Sequence, residues 1–424
     1  MGILAQLTEE YIGSLKFVRE IPRRDSLPLG TTDVVAVIGP RRVGKTHMML
    51  RAARQILDGG GQALYVPMDD PSLRGVTARR LAEMAREEYA AGAVHLFLDE
   101  VQDWPGWDAS LRWLHDVRDF HLYISGSSSA LQSSEIPSRL RGRYISKLVM
   151  PLSFSEVTGG PPVKTFRDKG VVMGALREYM AWGGFPEIWL QRTREKVLSL
   201  AETIFYRDMV ERFRVRDPAQ FRAALYYVLS RYANPFTWNS LARELRAQGI
   251  DVDVKTAISY VQHMEDAFLV FVVGRRSSSS RAEAMGYKKA YVVDPAIIGL
   301  VERPMDMGRR MENIVFLELV RRGAGDIGYH VTRSGQEVDF VVAEAGRASA
   351  LLEVCVEPEP GHFAKLAAAA AELGLASAEL ITLDSEDSRI MAVGGREVTV
   401  RAIPLWRWLL GGDRSASAAP LETS

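Results

Sequence analysis

The chain has 424 residues, with 53 Lys+Arg against 53 Asp+Glu and 47% apolar content. That length implies about two to four domains and the apolar share supports large cores, while the balanced charge excludes a global pull toward nucleic acid. One cysteine excludes an intrachain disulfide and fits a reducing compartment. No apolar run approaches the length of a membrane span, and the acids in "MGILAQLTEEYIG" are unlike a signal peptide, so the expectation is a soluble cytoplasmic protein with no membrane contact.

Residues 1–30 read as an N-terminal helix and a basic, proline-containing connector, "REIPRRDSLPLG". Over 31–150, the runs "DVVAVIG", "QALYVPMDD", "VHLFLDE" and "FHLYISGS" read as buried strands, alternating with the amphipathic stretches "KTHMMLRAARQIL", "TARRLAEMAREEYA" and "WDASLRWLHDVRDF". That alternation predicts an α/β fold, a parallel sheet covered by helices on both faces. After "VMPLSFSEV" the strand signals stop, and 151–220 reads as a helical lid broken at "WGGFPE". Residues 221–285 suggest a compact helical unit ending in a strand, and 286–308 a connector. In 309–410 the helix "RRMENIVFLELVRRG" precedes the strand-like "IGYHVTR", "QEVDFVVAE" and "ASALLEVCVEP", an alanine-rich helix and another strand. The tail 411–424 reads as disordered.

The stretch "VIGPRRVGKTHMML" follows a strand and opens a helix, and its Gly39, Gly44, Lys45 and Thr46 match G-x-x-x-x-G-K-[ST], the Walker A pattern. Glycines let backbone N–H groups wrap phosphates, and the helix N-terminus adds a favourable dipole. The expected nucleotide-binding residues are Gly39, Pro40, Arg41, Arg42, Val43, Gly44, Lys45, Thr46 and His47. Lys45 neutralises the β- and γ-phosphates and the Thr46 hydroxyl ligates Mg²⁺. The strand "VHLFLDE" ends in two acids, a Walker B pattern: Asp99 to hold the metal, usually through water, and Glu100 to polarise the attacking water. At the end of the next strand, Ser127 is the choice for sensing the γ-phosphate. In "SRLRGRY", Arg139, Arg141 or Arg143 is a candidate arginine finger, in its own subunit or a neighbour's, with Arg143 the choice. No N-K-x-D segment reads a guanine, so ATP is the expected nucleotide.

On "GPRRVGKT", "FLDEVQDWPGW", "SGSSS", "LRGR", "PLSFSE" and "GGFPE", the sequence resembles the prokaryotic AAA-type ATP-binding proteins that carry a C-terminal domain of unknown function. The resemblance spans the chain to about residue 356. It implies a P-loop ATPase using ATP and Mg²⁺, with a role on nucleic acid or in genome defence. Rings are common among such proteins because a neighbour's arginine completes the site, so a homo-oligomer is one expectation.

Two further segments carry chemistry. "SLARELR" and "VKTAISYVQHMEDA" have winged-helix proportions, with Lys255, Thr256 and Ser259 near the exposed start of the second helix and Arg275, Arg276 and Arg281 in the loop beyond. These are the candidate contacts to DNA, opposed by Asp253, Glu265 and Asp266. In the C-terminal part, Asp339 in "GQEVDFVV" and Glu353 in "LLEVCV" resemble the PD-(D/E)xK nuclease superfamily, implying a restriction-endonuclease-like fold in which two acids share Mg²⁺. Strand periodicity turns Glu353 and Cys355 to the same side, and Glu312 or Glu318 on the preceding helix is a candidate third acid. Cys355 stands where that superfamily has lysine and cannot carry its charge. The expectation is a vestigial site, active only if another base such as Lys365 substitutes. Three functions follow: a Mg²⁺-dependent ATPase, an ATP-switched DNA- or protein-binding module with slow turnover, and, disfavoured by Cys355, a metal-dependent nuclease.

Overall fold

The run Val34–Ile38 is buried at every position, as a strand covered on both faces must be. In the computed structural model, which describes residues 2–89, 92–126, 142–276, 286–301 and 304–411, it is β1 of a five-stranded parallel sheet. The others are β2 (Ala63–Pro67), β3 (Val94–Asp99), β4 (Phe120–Ser125) and β5 (Tyr144–Leu148), in the order β2-β3-β4-β1-β5. Parallel neighbours need long crossovers. Helices α2 (Lys45–Asp58), α3 (Ala78–Glu88) and α4 (Trp107–Val117) lie along them, each burying one stripe; α3, capped by the Thr77 hydroxyl, buries Leu81, Ala82 and Ala85.

The N-terminal helix α1 (Ile3–Ser14) belongs to this core through Leu4 and Leu7. It also shields an edge strand: the Thr8 hydroxyl accepts the β2 amide of Tyr65 at 2.9 Å and donates to Leu4 O at 2.7 Å. Strand β5, which the sequence pattern did not signal, forms the other edge; its residues are half-buried or exposed, so no apolar run marks it. Together, Met1–Pro151, Tyr206–Asp208 and Asp266–Phe268 make up one unit.

The second unit comprises Leu152–Phe205, Met209–Glu265 and Leu269–Ser424. Helices Phe154–Thr158, Phe166–Trp182, Pro186–Gln191 and Arg194–Thr203 succeed one another, the first two opened by capping boxes at Ser153/Glu156 and Thr165/Asp168. "GGFPE" is a packing point. Gly183 has φ +64°, and a Cβ there would lie 1.7 Å from Asp294 Oδ1. Asp294 is fully buried, accepts the Gly184 and Ala296 amides at 2.6 and 2.9 Å, and is pushed up to about 6 by burial.

Helices Pro218–Ser230, Trp238–Ala247 and Val254–Asp266 then lead into the antiparallel pair β6 (Val270–Gly274) and β7 (Lys288–Val292), with Phe236 bridged to Lys288. The C-terminal sheet is mixed and six-stranded: β8 (Asp326–Val331), β9 (Glu337–Glu344), β10 (Arg347–Cys355), β11 (Ser377–Thr382), β12 (Asp387–Val393) and β13 (Arg396–Pro404), in the order β12-β13-β11-β10-β9-β8. Helix Pro360–Leu373 lies on it through Phe363, Leu366 and the small residues Ala367, Ala369 and Ala370. Among the described residues, no helix is long and apolar enough to cross a membrane.

Candidate phosphate and metal site

The loop from Gly39 to Gly44 joins the end of β1 to α2. Gly39 has φ +140°, and a Cβ there would lie 2.2 Å from Val149 O, so only glycine lets the loop turn beside the chain leaving β5. Gly44 is left-handed (φ +94°) and no side chain caps α2, which leaves the first helical amides to the loop's concavity. Arg42 also has positive φ (+62°), a strained conformation of the kind found at ligand sites.

Lys45 is 7% exposed. Its ammonium donates to Gly39 O at 3.0 Å and Pro40 O at 2.8 Å. Burial pulls its pKa down to about 8, against the pull of Glu100, Asp99 and Asp208. Next to it, the Thr46 hydroxyl donates to Asp99 Oδ2 at 2.7 Å.

Asp99 is the hub. Buried to 3% exposure, it accepts from Thr46, from the Tyr65 hydroxyl at 2.5 Å on the same oxygen, and from the Ser125 hydroxyl on the other. Burial and Asp99 push the Tyr65 phenol well above its ordinary value. Glu100 is left-handed (φ +51°, ψ +48°), its amide donating to Asp99 Oδ1 at 3.2 Å, and its carboxylate accepts from Gln102 Nε2 at 2.5 Å. The loop itself is pinned twice. Arg41 pairs with buried Asp208 at 2.8 Å, from the π-helical segment Ile204–Glu211, and that bond holds the guanidinium above its usual value. Arg23 donates to Met150 O at 2.8 Å and to Val43 O.

The structure therefore brings together Gly39, Pro40, Arg41, Val43, Gly44, Lys45, Thr46, Asp99 and Glu100; Arg42 is exposed on the loop, and half-buried His47 lies in the first turn of α2. Ser127, Arg139 and Arg141 lie outside the described residues. Arg143 is not at the loop of its own chain. It precedes Tyr144, which pairs with the first residue of β1, whereas the loop follows the last; the strand length of roughly 13 Å separates them. Its guanidinium pairs with Asp116 at 2.5 Å instead. Missed from the sequence were Ser125, Tyr65, Gln102, Asp208 and Arg23. Only Ser125, the last residue of β4, had a local signal: it ends an apolar run beside the strand of Asp99.

In the second unit, Asp339 and Glu353 are neighbours on β9 and β10, the Asp339 amide donating to Glu353 Oε2 at 3.4 Å. The cation on Glu353 is Lys365, from helix Pro360–Leu373. Cys355 is half-buried with its thiol pushed up to about 12 by burial. Glu312 faces these acids, while Glu318 pairs with Arg321 and Arg322. Of the residues expected to meet DNA, Lys255 is exposed, and Thr256 and Ser259 are half-buried. Arg275 reaches Val331 O at 3.5 Å, Arg276 pairs with Asp326 at 2.6 Å, and Arg281 lies outside the described residues.

Residues 31–158 match the model of a AAA domain. Residues 173–304 and 307–408 match two domains of unknown function, DUF8612 and DUF4143. "Uncharacterized protein MJ1544" of Methanocaldococcus jannaschii is 28% identical over 416 residues, covering 93% of this chain and 92% of that one. An uncharacterized protein of Haemophilus influenzae is 25% identical over 328 residues, covering 74% and 80%. Among solved structures, the replication initiator DnaA bound to AMPPCP and single-stranded DNA aligns at 16% identity over 62% of this chain and 89% of that one, TM-score 0.26. The Aeropyrum pernix ORC1 protein in complex with DNA aligns at 14% over 75% and 92%, TM-score 0.28.

Proposed function

We propose that the chain is a Mg²⁺-dependent ATPase whose nucleotide cycle drives a conformational change acting on nucleic acid or on a partner protein. The observation that carries this reading is the Asp99 carboxylate, buried between the Thr46 hydroxyl of the phosphate loop and Ser125 of β4, beside a buried lysine that donates to two carbonyls of its own loop. The match of 31–158 to a AAA domain supports it.

Thr46 and Asp99 present a hydroxyl and a carboxylate, hard oxygen donors suited to Mg²⁺, and would hold it. The ion, when bound, supplies charge neutralisation at the phosphates. The loop amides receive phosphate oxygens, and Lys45 exchanges two carbonyls for them. Glu100 orients and polarises the attacking water once its carboxylate leaves Gln102. Ser125 and Tyr65 hold Asp99 in position. A neighbouring copy supplies the arginine that Arg143 does not supply in its own chain; molecular mass in solution with and without ATP reads that assembly.

One observation favours a second reading, a slow ATP-dependent switch. The Glu100 carboxylate is engaged by Gln102, so turnover requires that contact to yield. The three helices and hairpin over 218–292 have the order of a winged helix and would be its DNA- or protein-binding part, with Lys255 exposed. Steady-state phosphate release with and without DNA separates the two: brisk turnover lost in Lys45→Ala and Glu100→Gln supports the ATPase, and tight ATP binding with negligible turnover supports the switch. Brisk turnover unchanged in Lys45→Ala sinks the ATPase reading, and ATP affinity unchanged in Lys45→Ala sinks both. Plasmid incubated with Mg²⁺ or Mn²⁺ tests the nuclease reading, which Cys355 disfavours.

A further inference from the structure

Lys289, on β7, is 2% exposed. Its ammonium lies 2.7 Å from Glu337 Oε1, 2.9 Å from Glu312 Oε1 and 3.3 Å from Asp339 Oδ1. The three carboxylates come from two elements, the helix Met307–Arg321 and β9, where Glu337 and Asp339 share a face. An ammonium has three N–H donors, and here each has a carboxylate acceptor. Burial alone would drive Lys289 toward neutrality, but Asp339, Glu312 and Glu337 outweigh it and hold it charged well above the ordinary lysine range.

Two further donors share these acids: Tyr291 OH donates to the same Glu312 Oε1 at 2.8 Å, and the Val354 amide donates to Asp339 Oδ2 at 3.0 Å. Glu353 takes Lys365 on one oxygen and the Asp339 amide on the other. Carboxylates converging on one point are the ligand set of a hard divalent cation, which takes oxygen donors at 2.0–2.6 Å. The ammonium occupies that point. A metal ion would have to evict a tethered, buried charge and strip hydrogen bonds from Asp339 and Glu353.

We propose that Lys289 is the permanent cation of this cluster, standing in the position of a divalent metal, so that the C-terminal acids hold the unit together without a metal ion. The proposal is independent of the nucleotide reading. It assigns Lys289, rather than Cys355, as the residue that closes the site.

The test uses the full-length chain without nucleotide, with Mn²⁺ as the probe. In the parent, Mn²⁺ binding followed by electron paramagnetic resonance is expected to be the same as in Asp339→Asn, and melting is unchanged by EDTA. Lys289→Met is expected to melt roughly 10 °C lower and to gain one Mn²⁺ site that a second substitution, Asp339→Asn, removes. Mn²⁺ binding in the parent that Asp339→Asn abolishes overturns the proposal, and this arm stands even if Lys289→Met fails to fold. A Lys289→Met chain that melts with the parent, or folds without the new site, also overturns it.

Discussion

Two lysines are buried among the described residues, and their environments are opposite. Lys45 donates to two backbone carbonyls of its own loop, and burial brings it down to about 8. Lys289 is surrounded by three carboxylates that hold it charged. The difference separates a lysine held by neutral carbonyls from one whose counter-ions are already built in. An under-compensated buried charge is costly alone and is relieved by a ligand; a compensated one is costly only when its partner is removed. This contrast supports the proposed reading in which the loop before α2 is the part that takes a ligand.

The largest effect expected from this contrast is on turnover. Glu100→Gln should lower ATP hydrolysis by about 10²–10⁴-fold while nucleotide still binds, read by phosphate release and equilibrium titration. Full activity in that variant would leave the acid pair at the end of β3 without its assigned role.

Stability should move in opposite directions at the two lysines. Lys289→Met leaves buried carboxylates uncompensated and should cost about 3–5 kcal/mol in urea melts. Lys45→Met removes a charge that burial disfavours, so the nucleotide-free protein should be as stable as the parent or more so. Equal losses at both positions would erase the distinction.

A smaller effect is in pH. Because burial makes Lys45 titrate below the ordinary lysine value of 10.5, the folded chain binds that proton more weakly than the unfolded chain does. Its contribution to stability therefore grows between pH 8 and 10.5 and is lost as pH falls through 8. Phosphate favours the charged form, so nucleotide binding takes up a proton above pH 8. Affinity should then weaken toward about tenfold per pH unit, and Lys45→Met should remove the dependence. Calorimetric titration from pH 7 to 10 measures it; a flat profile contradicts the perturbed lysine.

The smallest change expected is in Tyr65→Phe. Removing the hydroxyl from Asp99 should raise the Mg²⁺ concentration for half-maximal turnover by up to roughly tenfold, with little change in the maximal rate. A fall in rate with no Mg²⁺ shift would mean that Tyr65 only supports packing.

The phosphate loop and the acid pair were legible because their chemistry lies in contiguous residues: Gly39 through Thr46 in one turn, Asp99 and Glu100 at one strand end. Ser125 was passed over for Ser127 because strand register is not written locally. Leu98 pairs with Ile124, and this puts Ser125 beside Asp99. Of the strands that the sequence pattern did not signal, β5 and β12 are mostly not buried and lack the apolar run that marks a core strand, whereas β7, inside the expected connector 286–308, and β13 are largely buried. In the C-terminal part, the resemblance to a nuclease core paired Asp339 with Glu353 and offered Lys365, which does meet Glu353, while Lys289 had no local signal.

By itself the sequence determined the α/β alternation of the first unit, the glycine-containing turn before α2 and the acid pair at the end of β3. Local steric and periodic rules are enough for those. Only the tertiary structure decided that Asp208, more than 160 residues from Arg41, pins the loop, that Tyr65 and Ser125 share Asp99, and that Lys289 fills the centre of the C-terminal acids. Those partners meet because packing brings distant strands and helices to hydrogen-bonding distance, and no local pattern in the chain encodes which side chains will share that space.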